Sequence, residues 1–129
     1  MNIEHIAINV ADPVAQAGWY CAHLGFTVAR RQEVAPYTHF LRETATGVML
    51  EIYCNPSDQV PDYRNQDPLL FHLAFATATL AADQARLLAA GASLVSEQTL
   101  ADGSRLAMLR DPWGVAIQLC QRAPGFFAN

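Results

Sequence analysis

Two imidazoles, a carboxylate and a carboxamide recur at matched positions in this 129-residue chain. His5 and Glu51 stand 46 residues apart, and so do His72 and Gln118. A shift of 67 residues aligns Ile3-Glu4-His5-Ile6-Ala7-Ile8 with Leu70-Phe71-His72-Leu73-Ala74-Phe75. The same shift aligns Gly47-Val48-Met49-Leu50-Glu51-Ile52 with Gly114-Val115-Ala116-Ile117-Gln118-Leu119. Either match alone is short and loose. Two at one offset, each with a polar residue in register, mark an internal repeat. Two imidazoles with a carboxylate suit a divalent transition metal, and mixed nitrogen and oxygen donors are compatible with Zn, Ni, Co, Mn or Fe. An unpaired carboxylate is costly to bury, and a bound cation would keep Glu51 ionised. Singly, each residue reads as an ordinary strand histidine or ion-pair partner. Their conjunction points to a metal site.

The elements that must position them follow from pattern and punctuation. Each half begins with a strand, at 3–10 and at 70–77. A helix follows in each. Asp12 suits an N-cap and Pro13 the first helical position. Val14, Ala17, Cys21 and Leu24 recur at helical spacing, and Gly25 ends the run. In the second half Thr79 is placed to cap, the Ala/Leu-rich run 80–90 favours helix, and Gly91 ends it. Leu24-Gly25-Phe26 corresponds to Ala90-Gly91-Ala92 at an offset of 66, so one residue slips in between. Three strands complete each half, at about 26–31, 38–43 and 48–54, then 93–98, 105–110 and 115–121. Turn signals separate them at Thr46-Gly47, Asp102-Gly103 and Asp111-Pro112-Trp113-Gly114. The expected class is α+β. The chain reads as one domain of two βαβββ modules, about 1–54 and 70–121, joined by a linker over 55–69.

Alternation along a strand assigns faces. Ile6, Ile8 and Val10 share one face with Leu50, Ile52 and Cys54, and that apolar face should hold the helix. The opposite face carries His5, Ala7 and Asn9 beside Met49, Glu51 and Tyr53. The second half repeats this, with His72 and Ala74 beside Ala116, Gln118 and Cys120. Polar donors among small residues are what a cavity requires. Met49 and Tyr53 share Glu51's face and are candidates for substrate contact. His39 is a candidate for the cavity mouth. Arg42 and Arg110 are candidate partners of an anionic group, and a solvated face is their ordinary reading.

Composition narrows the function. The eight basic residues are all Arg, there are twelve acidic residues, and the net charge is −4. That balance argues against nucleic acid or an anionic membrane as a partner. Charged residues are only 16% of the chain, against about 25% in typical domains. A second copy covering part of the surface would account for the deficit. The opening MNIEHIAINV carries Glu4 and His5 within its apolar run and reads as a strand, not a leader. Three cysteines without a CxxC pair suit a reducing cytoplasm.

These residues resemble the vicinal oxygen chelate superfamily, which includes glyoxalase I, fosfomycin-resistance proteins, bleomycin-binding proteins and extradiol dioxygenases. The resemblance rests on the two His-bearing strands, Trp19-Tyr20 before Leu24-Gly25-Phe26, Leu50-Glu51-Ile52, and Asp111-Pro112-Trp113-Gly114 leading to Ile117-Gln118-Leu119. It spans about residues 3–121. It implies that two βαβββ modules form an incomplete eight-stranded barrel around one divalent transition metal. His5, Glu51, His72 and Gln118 fall at the ligand positions. In small members the modules sharing a metal often come from different subunits of a homodimer, which would make each site shared between chains. The implied chemistry is that of a glyoxalase-like lyase or isomerase. A small substrate presents two adjacent oxygens to the metal, and a ligand carboxylate moves a proton beside a carbonyl.

Departures from the pattern shape the expectation. Bacterial glyoxalases of this type usually carry Glu where Gln118 stands. An amide can ligate but cannot act as a base, so Glu51 is the expected catalytic carboxylate. Asn55 matches a glutathione-contacting Asn of glyoxalase I, whereas Asn9 stands where those enzymes tend to carry an Arg for the glutathione carboxylate. The two positions point opposite ways on glutathione as co-substrate. Two other activities compete. His5, His72 and Glu51 formally make the two-His-one-carboxylate set of a non-haem iron extradiol dioxygenase, but single-site members place that carboxylate at Gln118's position. A metal-free antibiotic-binding protein of the bleomycin-resistance type usually lacks the ligand set.

Overall fold

The computed structural model describes residues 1–127 and divides the chain into two compact units, Met1–Pro61 and Asp62–Asn129. The first unit runs β1 (Ile6–Asn9), α1 (Pro13–His23), β2 (Phe26–Arg31), β3 (His39–Glu43) and β4 (Met49–Tyr53). Its open sheet has the order β1-β4-β3-β2, with β1 parallel to β4 and the other pairs antiparallel. The second unit runs β5 (Leu73–Ala76), α2 (Leu80–Ala89), β6 (Ser93–Thr99), β7 (Arg105–Arg110) and β8 (Ala116–Gln121). Its sheet repeats the order as β5-β8-β7-β6. The α+β class and the βαβββ order of both modules are as the sequence pattern predicts.

The repeat holds at the level of register. Ala7 pairs with Glu51 in the first sheet, and Ala74 pairs with Gln118 in the second. The one-residue slip lies in the helices, since α1 has 11 residues and α2 has 10. Both second strands carry a register shift, between Val28 and Arg30 and between Leu94 and Ser96. Such bulges sharpen local twist at a sheet edge.

Each sheet buries one face under its helix. In the first unit α1 packs on β2, β3 and β4, over buried Ile8, Leu41, Leu50 and Ile52. In the second α2 packs on β7 and β8, over Ala107, Leu109, Ile117 and Leu119. The α1 terminus is built as the sequence suggests: Asp12 Oδ1 accepts from the Ala15 N–H at 3.0 Å, with Pro13 following. Its buried face differs from the expected one. Pro13, Gln16, Ala17 and Tyr20 face the core, while Val14 is 55% exposed. The amide of Gln16 donates to the Tyr20 hydroxyl at 3.1 Å. That bond lets a polar side chain occupy the core, which an apolar count cannot register. The N-cap of α2 also differs. Thr79 makes no capping bond and donates its hydroxyl to Asp83 instead. The Leu80 N–H is met from β8 by Gln121 Oε1 at 3.2 Å.

Residues 62–69, read above as part of a linker, belong to the second unit and are fastened to its β7–β8 turn. Arg64 donates to the Pro112 carbonyl at 2.8 Å, and Arg110 donates to the carbonyls of Tyr63 and Gln66. Gly114 allows the close approach. Its φ is +98°, and a Cβ there would sit 2.8 Å from Arg64 N. Among the described residues, no helix is long and apolar enough to cross a membrane.

Candidate functional site

His5 and Glu51 come together in the first unit. The β1–β4 register sets Ala7 beside Glu51, and His5 lies two residues earlier, just ahead of the ladder. His5 Nε2 is 3.1 Å from Glu51 Oε2, with 34% and 20% of the two side chains exposed. His5 Nδ1 meets the Glu4 carboxylate. Carboxylates only accept, so both ring nitrogens donate and the imidazolium is favoured. The His5 pKa is accordingly raised, chiefly by the hydrogen bond to Glu4. Desolvation opposes the shift, and the charges of Glu4 and Glu51 add to it. Phe40, opposite Glu51 on β3, sets its ring edge-to-face with His5 at 5.7 Å.

The second unit presents the matching pair on parallel strands. Gln118 lies beside Ala74, and His72 again lies two residues ahead. Met108 on β7 occupies the place opposite Gln118 that Phe40 occupies opposite Glu51. His72 Nδ1 donates to the Pro68 carbonyl at 2.9 Å, because a carbonyl can only accept. The neutral ring is therefore the Nδ1–H tautomer, and its lone pair is on Nε2. Gln118 Oε1 accepts from the Cys120 thiol at 3.3 Å. Burial raises the pKa of that thiol, so it remains a donor at neutral pH.

The donors suit a divalent cation by type: imidazole nitrogen, carboxylate and amide oxygen. Outer partners on the imidazoles, Glu4 for His5 and the Pro68 carbonyl for His72, are the kind that orient metal-ligating rings. Each unit supplies two of the four. Among the described residues, no group of three or more His, Cys, Asp or Glu side chains is gathered tightly enough to hold a metal ion.

The other candidates divide. Met49 and Tyr53 flank Glu51 on the same face, half-buried. Asn9 and Asn55 serve the backbone after β4. Asn9 Oδ1 accepts from the Asn55 N–H at 3.1 Å, while the Asn55 side chain bonds Asp58 and the Ser57 N–H. Arg42 lies opposite Met49 and is exposed. Arg110 is engaged by three carbonyls and is no solvated face residue. His39 does not line the open face. It pairs with Ile52 on the helix side, is 5% exposed, and donates Nδ1–H to the Tyr37 carbonyl at 2.7 Å.

Sequence reasoning missed Glu4, Phe40, Pro68, Met108 and the part played by Arg110. Alternation places Glu4 on the face opposite His5, so only the irregular backbone before β1 lets it reach the ring. Phe40 and Met108 become legible once the hairpin register is known.

Comparison with known proteins bears on the whole arrangement. A family profile for the Glyoxalase/Bleomycin resistance protein/Dioxygenase superfamily matches residues 2–119. A glyoxalase family protein from Enterococcus faecalis is 26% identical, with a TM-score of 0.69 over 93% of this chain and 97% of that one. A Bacillus cereus glyoxalase family protein gives 0.76 at 16% identity, with 95% of each chain covered. An antibiotic binding protein from Streptomyces sp. CB03234 gives 0.72 at 21% identity, over 95% of this chain and 97% of that one. The last two likenesses show the fold. No curated protein matches the sequence closely enough to add an activity.

Proposed function

Because the chain belongs to the Glyoxalase/Bleomycin resistance protein/Dioxygenase superfamily, we propose that it is a metal-dependent, glyoxalase-like lyase or isomerase acting on a small substrate with adjacent oxygens. The observation that carries the reading is the 3.1 Å approach of His5 Nε2 to Glu51 Oε2 on an open sheet face, with Glu4 behind the ring. His5, Glu51, His72 and Gln118 are the proposed donors, drawn from two copies of the chain in a homodimer. A divalent ion held by them would act as a Lewis acid toward two substrate oxygens. Glu51 is the proton carrier, since Gln118 has no basic oxygen. It needs freedom from its partners in the substrate complex to act as base. Met49, Tyr53 and Phe40 would shape the apolar wall beside it. Asn9 and Asn55 set the backbone after β4, and the bond between them together with Asn55's bond to Asp58 favours a shaping role over direct capture of glutathione. Three free thiols suit a reducing cytoplasm.

The test is metal content of protein purified without a metal-affinity step, beside His72→Ala. One equivalent per site, lost in the variant, is the expected result. No uptake from Ni, Zn, Co, Mn or Fe salts would overturn the enzyme reading.

A second reading has one observation in its favour. The proposed site has a single carboxylate and apolar neighbours in Phe40, Met49, Tyr53 and Met108. An antibiotic binding protein shares the fold. Tight binding of an aromatic or glycopeptide antibiotic without turnover or metal would establish it.

A further inference from the structure

The second unit contains a connected set of bonds that ends on His72. Arg110, at the end of β7, spends its guanidinium on backbone carbonyls. Nη1 donates to Tyr63 at 2.5 Å and to Gly114 at 3.0 Å, and Nη2 donates to Gln66 at 2.7 Å. The fork therefore ties the turn before β8 to the segment that precedes β5. The segment is itself wound tight. Asn65 N and Gln66 N both donate to the Asp62 carbonyl. Asp67 accepts from Leu69 N through its side chain at 2.9 Å and from Leu70 N through its carbonyl at 3.0 Å. Arg64 adds its bond to Pro112, and its backbone lies against Gly114. Two residues beyond Gln66, the Pro68 carbonyl accepts from His72 Nδ1 at 2.9 Å. Proline fixes its own φ but not the ψ that aims its carbonyl, so that direction is set by the Asp67–Leu70 turn around it and by where the preceding residues are held.

We infer that Arg110 is a positioning residue for His72: by clamping residues 63–66 it places the Pro68 carbonyl, which fixes His72 as the Nδ1–H tautomer with Nε2 as the donor atom. Free imidazole prefers the opposite tautomer, in which Nε2 carries the proton. A ring so protonated at Nε2 cannot ligate there, so the clamp selects the competent form before any ligand arrives. The inference rests on the reading of His72 as a donor in the proposed site, and it gives Arg110 a role other than meeting an anionic substrate.

The experiment is long-range proton–nitrogen NMR of the 15N-labelled, metal-free full chain, at a pH where His72 is neutral. The wild type should show a protonated Nδ1 and a bare Nε2 at His72. Arg110→Gln should move the ring toward the Nε2–H form while the β5–β8 amide signals stay in place. Arg110→Lys restores the charge but not the fork and should resemble Arg110→Gln; it replaces that variant if the glutamine protein does not fold. A wild-type His72 protonated at Nε2, or an unchanged tautomer in the folded variant, would overturn the inference. Metal uptake by the same proteins is read separately, with a loss of about tenfold in affinity expected for the Arg110 variants. A His72 tautomer that follows Arg110 in a protein taking up no metal would sustain the clamp and sink the proposed activity.

Discussion

Replacing Gly114 with Ala tests whether the segment over 62–70 is truly fastened to the β7–β8 turn. Two penalties meet at this position. Its φ of +98° is unfavourable for an L residue, which costs about 1–2 kcal/mol. The new Cβ would also lie 2.8 Å from Arg64 N and 2.9 Å from Arg64 Cα. Backbone cannot rotate away as a side chain does, so the segment must lift. Lifting weakens the Arg64–Pro112 bond and the grip of Arg110 on Tyr63 and Gln66. A hydrogen bond from a charged group contributes about 1.5–3 kcal/mol, and the exposed Arg64 bond less. The total is about 3–5 kcal/mol. Gly103→Ala supplies the control. Its φ is +86°, and nothing lies within 4 Å of an added Cβ, so only the conformational cost of about 1–2 kcal/mol applies. Urea unfolding of both variants should separate them by about 2–3 kcal/mol with an unchanged dependence on denaturant. Equal losses would refute the reasoning, because the contact between Gly114 and Arg64 would then hold nothing.

The pKa of His5 is raised by Glu4 first and by the charges of Glu4 and Glu51. An NMR titration of the metal-free chain should therefore place its midpoint above 6.5, and Glu4→Gln should lower it. This contribution to stability is full below the unfolded pKa and disappears as pH rises through the folded value. Metal entry at Nε2 must displace that proton, so calorimetry in buffers of different ionisation enthalpy should detect proton release near neutral pH. Asp83 is depressed first by the Thr77 hydrogen bond, then by Arg86 and Thr79, against opposing desolvation. Its contribution is present above the unfolded value near 3.8 and is lost as pH falls through the lower folded value. Asp83→Asn should cost about 1–2 kcal/mol at neutral pH and flatten the acid limb of a thermal-melt series. Asn9→Ala removes the acceptor of the Asn55 N–H and should cost about 1 kcal/mol in urea unfolding.

The fold was legible because its signals are local and repeated. Glycines at 25, 47, 91, 103 and 114 all adopt positive φ, so the turns follow from residue type. Strand alternation then sorted the faces, and the observed registers set Glu51 and Gln118 at equivalent places. What stayed hidden depends on contacts distant in sequence or on irregular backbone. The buried stripe of α1 was misplaced because Gln16 enters the core by bonding Tyr20. Glu4 reaches His5 because the chain before β1 is not yet a strand. The task of Arg110 spans 47 residues to Tyr63, and no short spacing reveals it. His39 was misread because β3 carries its polar residue on the helix side, where a carbonyl two residues away satisfies it.

The two modules keep one register and present different donors. In the first, His5 sits between two carboxylates, which raise its pKa. In the second, His72 is held by a carbonyl and Gln118 by a thiol, and neither partner is charged. A second acid at position 118 would give the donor set two negative charges and match a divalent cation. With Gln118 it has one, and a cation held there would keep a positive charge uncompensated. Uncompensated charge is useful where negative charge develops during reaction, and it weakens the hold on the ion when nothing anionic is present. The same substitution leaves Glu51 as the one proposed donor with a basic oxygen to spare. On the proposed reading, proton transfer would fall to the first module and neutral anchoring to the second. The repeated scaffold thus keeps its register while the residues around each pair differ: Glu51 against Gln118, Phe40 against Met108, and Glu4 against the Pro68 carbonyl as the histidine's partner.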